Sequence, residues 1–402
     1  MATNNFIVDN QEIWAKEQQR VFDKRNYGVM IADTSFESQL SKGDTVNRPY
    51  RAEMSVQAYN YGTDATIDTH TDTNEQMTVN QKIMVTFQAE SYEEIQNNYR
   101  IVASYARDAL VKVSNQIDAD ILGECEASAA SVVDAGDVGG SAGTPITLGT
   151  TTTMPALASV LEKLALLDTL DEGNVYGIIS PQFEFQLMQI NAGRDTQMGD
   201  KITKAGYIME LYGIKLFRSN LLTGSAVLGL ATQPTAADTV VIAGQTFTFV
   251  SSIGTTAGNV LIGANVDATR ASLETLLNTP GTTTATGVAL TGTTLRKFEL
   301  NVSAVNDDTA NTLRVVQKGV GSIVVSETLT DGTDAWAKET QHNYFCVKGA
   351  TALVIQSKAK VEYRDEPKSL ITNGLAHSLY GWKTFADGAK MLVDVQIASA
   401  GF

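Results

Sequence analysis

Residues 91–122 read SYEEIQNNYRIVASYARDALVKVSNQIDADIL, and this stretch decides the fold. Its apolar positions recur at spacings of four and three residues, and no proline or glycine interrupts it before Gly123. That period predicts one long amphipathic α-helix, with Ser91 and Glu94 as a capping box at its start. The apolar face consists of Ile95, Tyr99, Val102, Ala106, Leu110, Val113, Ile117 and Ile121. Because no second heptad segment exists to pair with it, the helix is predicted to be a spine against which a sheet packs.

The segment before the helix, residues 50–88, alternates apolar and polar side chains with a period of two, which predicts two strands. The apolar members are Met54, Val56 and Ala58 on the way out and Val79, Ile83, Val85 and Phe87 on the return. Between them lies YNYGTDATIDTHTDTNEQ, which is too polar to bury and too long for a tight turn. An extended hairpin loop over residues 50–90 is therefore predicted to project from the body. Such a hairpin is marginal alone and needs a partner surface.

Residues 1–49 are predicted to form an N-terminal arm. Asp9 and Glu12 make a second capping box, and the helix that follows carries Trp14 and Phe22. An arm with an exposed tryptophan is expected to dock onto something else.

After the spine (residues 91–135, with a peripheral domain), residues 136–222 alternate strand and helix signals, which predicts a small α/β unit. A glycine-rich loop leads to a helix with Thr153 as N-cap and Pro155 in its first turn. The strand VYGIIS follows, then a helix opened by Ser180-Pro181, then strands paired around Gly213.

The composition changes sharply from residue 223 to residue 343. This segment has no tyrosine, although the chain has 13, and threonine, glycine, alanine and valine dominate it. Short strands and one helix near residues 267–277 predict an inserted small α+β domain, and its excision is predicted to leave a folded core. Residues 344–402 return to the earlier composition and are predicted to be strands that complete the first sheet.

Charge and motif searches exclude several function classes. A net charge of −15 argues against a dedicated nucleic-acid binder, which would show a basic stripe. No stretch approaches 18 consecutive apolar residues, and the N-terminus lacks signal-peptide character. Cys125 and Cys346 are predicted to be buried small hydrophobes. Asp118 and Asp120 are predicted to be solvated on different faces of the spine.

No catalytic or metal motif is found. The three histidines, His70, His342 and His377, do not have zinc-site spacing, and no P-loop or nucleophile-elbow motif exists. Asp64, Asp68 and Asp72 surround His70 but are interpreted as residues of a solvated loop tip. The sequence therefore predicts no enzyme, no metal and no cofactor.

The order of these elements resembles the major capsid protein of tailed bacteriophages, with the Hong Kong 97-type fold. The segments that carry the resemblance are residues 91–122, YGIISPQFEFQLM, GYIMELYGIKLFRSN, ALVIQSKAKVEYRDEP and LYGWKTFADGAKMLVDV. Together they cover roughly residues 1–222 and 344–402. The implied fold class is α+β, with an N-arm, extended β-hairpin loop, spine helix, peripheral and axial domains, and the insert at 223–343. The insert itself resembles a small module that recurs in phage structural proteins.

The resemblance implies a structural protein that self-assembles into an icosahedral shell around the phage genome. Its partners would be copies of itself in hexamers and pentamers, and scaffolding and portal proteins. DNA would be enclosed without sequence-specific binding, no membrane would be involved, and assembly would take place in the bacterial cytoplasm. Candidate inter-subunit contact residues are Trp14, Phe22, Tyr59, Tyr61, Asp64, Asp68 and Asp72. The alternatives are another virion component, such as a tail tube, and an encapsulin-type nanocompartment shell.

Overall fold

The computed structural model describes residues 26–38, 40, 43–51, 54–58, 60–62, 64, 67, 69, 71–90, 101–171, 173–192, 210–330, 334–365 and 371–399. Its helices are α1 Gly28–Ile31, α2 Ile101–Ser128, α3 Thr153–Leu166, α4 Pro181–Ala192, α5 Val266–Asn278, α6 Gly292–Asn301 and α7 Ala386–Lys390. Its strands are β1 Thr45–Tyr50, β2 Thr73–Thr78, β3 Gln81–Glu90, β4 Ser131–Val133, β5 Val175–Ile179, β6 Glu210–Leu211, β7 Ile214–Arg218, β8 Thr223–Gly229, β9 Thr239–Ile242, β10 Gln245–Val250, β11 Asn259–Leu261, β12 Val302–Asp307, β13 Thr312–Gln317, β14 Val325–Glu327, β15 Trp336–Val347, β16 Thr351–Asp365, β17 Ile371–Thr384 and β18 Leu392–Ala398.

The chain divides into two compact units. Among the described residues, the smaller unit comprises 81–90, 101–114, 357–365 and 371–379, and the larger unit comprises the others.

A three-stranded sheet in the order β16-β17-β3 supplies the strands of the smaller unit. Its inner face is aromatic, because the Phe87 ring lies 6.1 Å from the ring of Tyr105 and 6.4 Å from that of Tyr363. The same ring covers Gly374, where a Cβ would lie only 2.1 Å from a ring atom. A glycine is therefore required at that position for the strands to approach.

A nine-stranded sheet organises the larger unit. β5 and β7 are parallel and are connected through α4, which confirms the predicted α/β unit. The β6–β7 pair around Gly213 is confirmed as well, with Tyr212 and Gly213 both at positive φ in the turn. The core beneath α3 and α4 includes Leu157, Val160, Phe183, Phe345 and Val395.

The segment predicted to be an insert has a hydrophobic core of its own, formed by residues between Ala226 and Trp336. It contains a four-stranded sheet in the order β11-β10-β9-β14. The sequence predicted one helix here, whereas the described residues form two. The prediction missed α6 because no side-chain cap marks its start. A separate inserted domain stays a prediction. Its proposed end at residue 343 lies inside β15, which pairs with β8 and also with β5 and β18.

The spine is confirmed as a helix from Ile101 to Ser128, about 42 Å long. Its predicted start at Ser91 lies outside the described residues. The helix continues through Gly123, whose missing side chain leaves room for Lys318. In the larger unit Leu122 and Cys125 belong to the same buried cluster as Ile178, Tyr344 and Leu392, as expected of a helix covered by a sheet.

The two aspartates of the spine are buried, so the prediction that they are solvated is wrong. Asp118 accepts the backbone N–H of Gly28, and Asp120 accepts the Tyr380 hydroxyl at 2.6 Å. Burial raises the pKa of the Asp120 carboxyl, although Lys318 opposes this. The two carboxylates are buried against partners that are distant in sequence, and no local sequence pattern indicates those partners.

The hairpin is paired differently from the prediction. β1 pairs with β2, from Thr45↔Thr78 to Tyr50↔Thr73, while β3 joins β17 in another sheet. Residues 54–58 form no strand, so the predicted outgoing strand at Met54–Ala58 is wrong. These residues are all exposed in the structure. A period of two in the sequence cannot distinguish such an exposed segment from a half-buried strand.

Both cysteines are buried and unpaired, as predicted. Burial raises the pKa of each thiol, which keeps the protonated form. In the described part of the chain, no helix is both long and apolar enough to cross a bilayer.

Candidate assembly surfaces

The loop of residues 51–72, which follows β1 and precedes β2, is exposed wherever the structure describes it. Met54, Val56, Tyr61 and Ile67 have relative exposures between 74% and 101%. Of the predicted contact residues, Tyr61, Asp64 and Asp72 lie in this loop and are exposed. Trp14, Phe22, Tyr59 and Asp68 lie outside the described residues, so their placement stays a prediction.

The base of this loop is held by contacts with residues 385–387. Arg48 of β1 forms an ion pair with Asp387, and its guanidinium lies 4.9 Å from the centroid of the Phe385 ring. Glu75 of β2 accepts the backbone N–H of Ala386 at 3.0 Å. The Arg48 hydrogen bond holds the pKa of the Asp387 carboxyl below its usual value. A rigid base therefore presents an apolar, acidic loop to solvent.

The outer face of the sheet in the smaller unit has the opposite charge. Lys358, Lys360, Glu362 and Arg364 alternate along β16 with Tyr363, which contacts Phe87 on the other face of the sheet. His377 of β17 shares this face, since its Nε2 lies 3.9 Å from Glu362. On β3, Lys82 and Met84 are exposed on the side opposite Phe87.

A shallow cavity of about 540 Å³ opens in this sheet near Gln88, Arg364 and Asn373. We call the outer face with this cavity the basic sheet face. Among the side chains that the structure describes on this face, Lys82, Lys358, Lys360 and Arg364 outnumber the carboxylate of Glu362, in a chain whose net charge is −15.

One buried cluster has the hydrogen-bond order of a serine-histidine-aspartate triad. The Ser225 hydroxyl lies 2.8 Å from His342 Nε2, and His342 Nδ1 lies 2.7 Å from Asp394 Oδ2. All three side chains are buried, and Ser225 lies in the middle of β8, paired with β13 and β15. A nucleophile needs access to its substrate, so we interpret the cluster as a hydrogen-bonded link between β8, β15 and β18.

Sequence reasoning missed this cluster because its members are far apart along the chain. Its three residues come from three strands, with no local motif around any of them. In the described residues no group of three or more potential ligands could hold a metal ion.

Comparison with solved structures shows the same architecture in phage particles. A chain of Mycobacterium phage Che8 has a TM-score of 0.58 at 15% identity, with 98% of each chain covered. The capsid structure of cyanophage P-SCSP1u has a TM-score of 0.53 at 12% identity, with 98% of this chain and 94% of the other covered. The capsid asymmetric unit of cyanophage Pam1 has a TM-score of 0.51 at 10% identity, with 99% of both covered. The fold is therefore that of tailed-phage capsid proteins, the mixed α+β class predicted from the sequence.

Residues 89–249 also match the profile of the family described as phage capsid protein. No curated protein matches the sequence. Fold and family profile both agree with the resemblance to phage capsid proteins that the sequence predicted. The matched range includes the spine, the α/β unit and the first strands after residue 223.

Proposed function

We propose that copies of this chain assemble into an icosahedral shell of hexamers and pentamers that encloses the phage DNA. Assembly takes place in the host cytoplasm with scaffolding and portal proteins, and the DNA is enclosed without sequence-specific contacts. The family profile and the fold support the shell itself. The acidic net charge agrees with a wall that does not trap DNA.

The observation that carries the proposal is the exposed loop of residues 51–72. Its large apolar side chains, Met54, Val56, Tyr61 and Ile67, are in water in a single copy. Exposed apolar area costs about 25 cal/mol per Å², and clusters of it mark interaction sites. We infer that this loop lies across a neighbouring copy, where these side chains become covered.

The basic sheet face is the surface we propose for receiving the loop. Asp64, Asp68 and Asp72 make the loop acidic, and the exposed Lys82 and Lys358 lie on the sheet. Met84, on the same strand as Lys82, is an exposed apolar side chain, and we expect it to pack against the apolar side chains of the loop. Opposite charges steer association and set the register of an interface, even when each exposed pair adds little affinity. Many weak contacts then add up through avidity in a closed shell.

A charge exchange tests this pairing. We expect the double variant Asp64→Lys with Asp72→Lys to lower the yield of shells at least tenfold, and Lys82→Glu with Lys358→Glu to do the same. Combining all four changes restores opposite charges, so shell yield should recover. Yield is measured by sedimentation and electron microscopy, and folding of each variant by circular dichroism.

Lys348→Glu with Arg296→Glu is the matched control, because both side chains are exposed and neither residue belongs to the three-stranded sheet. Normal shell yield from the variant with Asp64 and Asp72 changed, or from the variant with Lys82 and Lys358 changed, would contradict the pairing. Failure of the four-fold variant to recover, while remaining folded, would also contradict it.

A further inference from the structure

A cleft of about 670 Å³ opens within the larger unit, between the start of α4, the segment of residues 320–325 and β15. It lies on the side of the sheet opposite the Ser225 cluster. Gln341 faces the cleft, and its neighbour His342 belongs to the cluster; successive side chains of β15 point to opposite faces, since Gln341 pairs with Gly224 and His342 pairs with Thr223. None of the residues that line the cleft belongs to the loop or to the basic sheet face.

Two acceptors on β15 face this cleft. Gln341 is only 8% exposed, and its side-chain Oε1 is buried without a hydrogen-bond partner. Glu339, two residues earlier on the same face, also lines the cleft, and no described residue forms an ion pair with its carboxylate. An unpaired buried acceptor destabilises the fold, and a donor from outside would recover the lost hydrogen bond.

A β-bulge lies immediately before these two residues. The register of β15 against β8 shifts between Ala337 and Thr340, and Lys338 adopts a positive φ of 50°. Bulges commonly redirect a side chain next to a binding site. Here the bulge precedes Glu339, whose side chain lines the cleft.

The rim of the cleft is apolar and exposed. Phe185 of α4 and Val324 are both more exposed than buried, and Val320 lies beside them. The guanidinium of Arg218, held by Glu184 at 3.0 Å, lies 5.9 Å from the Phe185 ring centroid. The ring therefore already contacts one cation, and an aromatic face attracts cations generally.

We propose that this cleft binds an organic cation carried on an alkyl stem, a guanidinium or an ammonium group. The cationic N–H groups donate to Glu339 and to Gln341 Oε1, and the stem packs on Val324 and Phe185. Charge-assisted hydrogen bonds of this kind are about twice as strong as neutral ones. Two sources supply this chemistry: a lysine or arginine side chain of another copy, and a free alkylammonium compound.

The test uses Nα-acetyl-arginine methylamide as the probe, with the neutral Nα-acetyl-norleucine methylamide for comparison. Binding to the full chain as unassembled subunits is measured by ligand-observed NMR at low salt. We expect the arginine probe to bind and the norleucine probe not to bind. Glu339→Gln and Gln341→Leu should each weaken binding at least tenfold.

Gln341→Leu replaces an unsatisfied acceptor with an apolar group of similar size, so the variant is expected to fold. Glu162→Gln, on α3 and outside the cleft, is the matched control and should bind like the parent. Equal binding of both probes, equal binding by Glu339→Gln, or no binding by the parent chain would overturn the proposal.

Assembled shells distinguish the two sources. If another copy supplies the cation, shells will not bind the probe, and Glu339→Gln will raise the subunit concentration that assembly requires. If the cation is a free compound, shells will bind the probe, a polyamine such as putrescine will compete with it, and Glu339→Gln will assemble normally.

Discussion

Asp118 illustrates how a single buried residue can make this subunit sensitive to pH. Its carboxylate lies on the spine and accepts backbone N–H groups from Tyr27, Gly28 and Val29. Burial nevertheless dominates and raises the pKa to about 6, against an ordinary value of 3.8. One oxygen, Oδ2, has no hydrogen-bond partner, which adds to the cost of the charged form.

The sign of the effect follows from proton binding. Between about pH 4 and pH 6 the folded chain holds a proton that the unfolded chain has lost, so stability falls as pH rises through this window. The change is on the order of 3 kcal/mol for a shift of this size. We expect Asp118→Asn to remove this part of the pH dependence, as measured by urea unfolding of unassembled subunits at several pH values.

Asp387 provides a control of opposite sign. Its pKa is lowered by the Arg48 hydrogen bond, so its contribution is present above its ordinary pKa and is lost as pH falls. Asp387→Asn should therefore reduce stability at neutral pH and have little effect in acid. If Asp118→Asn keeps the parent slope between pH 4 and pH 6, Asp118 does not titrate as described.

At the scale of elements, α5 protects the free edge of β12. β12 is the last strand of the nine-stranded sheet, and only β13 pairs with it. The Asn278 side chain accepts the Ala304 N–H and donates to the Ala304 carbonyl, both at 2.9 Å. Glu274 accepts the Asn306 N–H at 3.3 Å. Side chains of a helix thus take the positions that another strand would occupy.

We expect Asn278→Ala to lower the free energy of unfolding by about 1–3 kcal/mol, because it leaves the Ala304 groups unpaired. It should also promote aggregation, since an open strand edge pairs with other chains. Thr275→Ala is a suitable control, because Thr275 is on the same helix and its hydroxyl donates to the Ala271 carbonyl within that helix. Equal aggregation of the two variants in light scattering would show that Asn278 is not protecting the edge.

At the scale of the whole molecule, β15 connects two hydrophobic cores. Its first half pairs with β8, and its second half pairs with β5. β18 pairs along its other edge from Thr340 to Cys346. Between β8 and β15 the chain forms β9 to β14, of which β12 and β13 join the same nine-stranded sheet. Where β8 ends and β15 begins, the Gly229 N–H donates to the Ala335 carbonyl at 2.9 Å.

These pairings predict where the segment can be removed. Excising residues 223–343 takes out β8 and most of β15, so we expect an aggregated product. Excising residues 231–334 with a short glycine linker keeps both strands and should give a chain that unfolds cooperatively in circular dichroism. A folded product from the excision of residues 223–343 would show that the rest of the chain folds without the excised part of β15.

Much of the secondary structure was accessible from the sequence, because helices and βαβ units depend on local periodicity. Local sequence patterns predicted the spine, the Ser180-Pro181 start of α4 and the turn at Gly213. The Phe183 N–H does bond to the Ser180 hydroxyl at 3.2 Å, as a capping serine should. The exposed character of the loop tip at Tyr61 and Asp64 was also readable, because its polar run could not be buried.

The order of the elements could be predicted from the amino-acid sequence alone, and that order carries the resemblance to phage capsid proteins. Only the tertiary structure decided which strands pair, why Asp118 is buried, and how Ser225, His342 and Asp394 meet. It alone brought Glu339 and Gln341 to a cleft with Phe185. The physical reason is that periodicity records which side of an element faces the core, whereas pairing and burial depend on contacts between residues far apart in the chain.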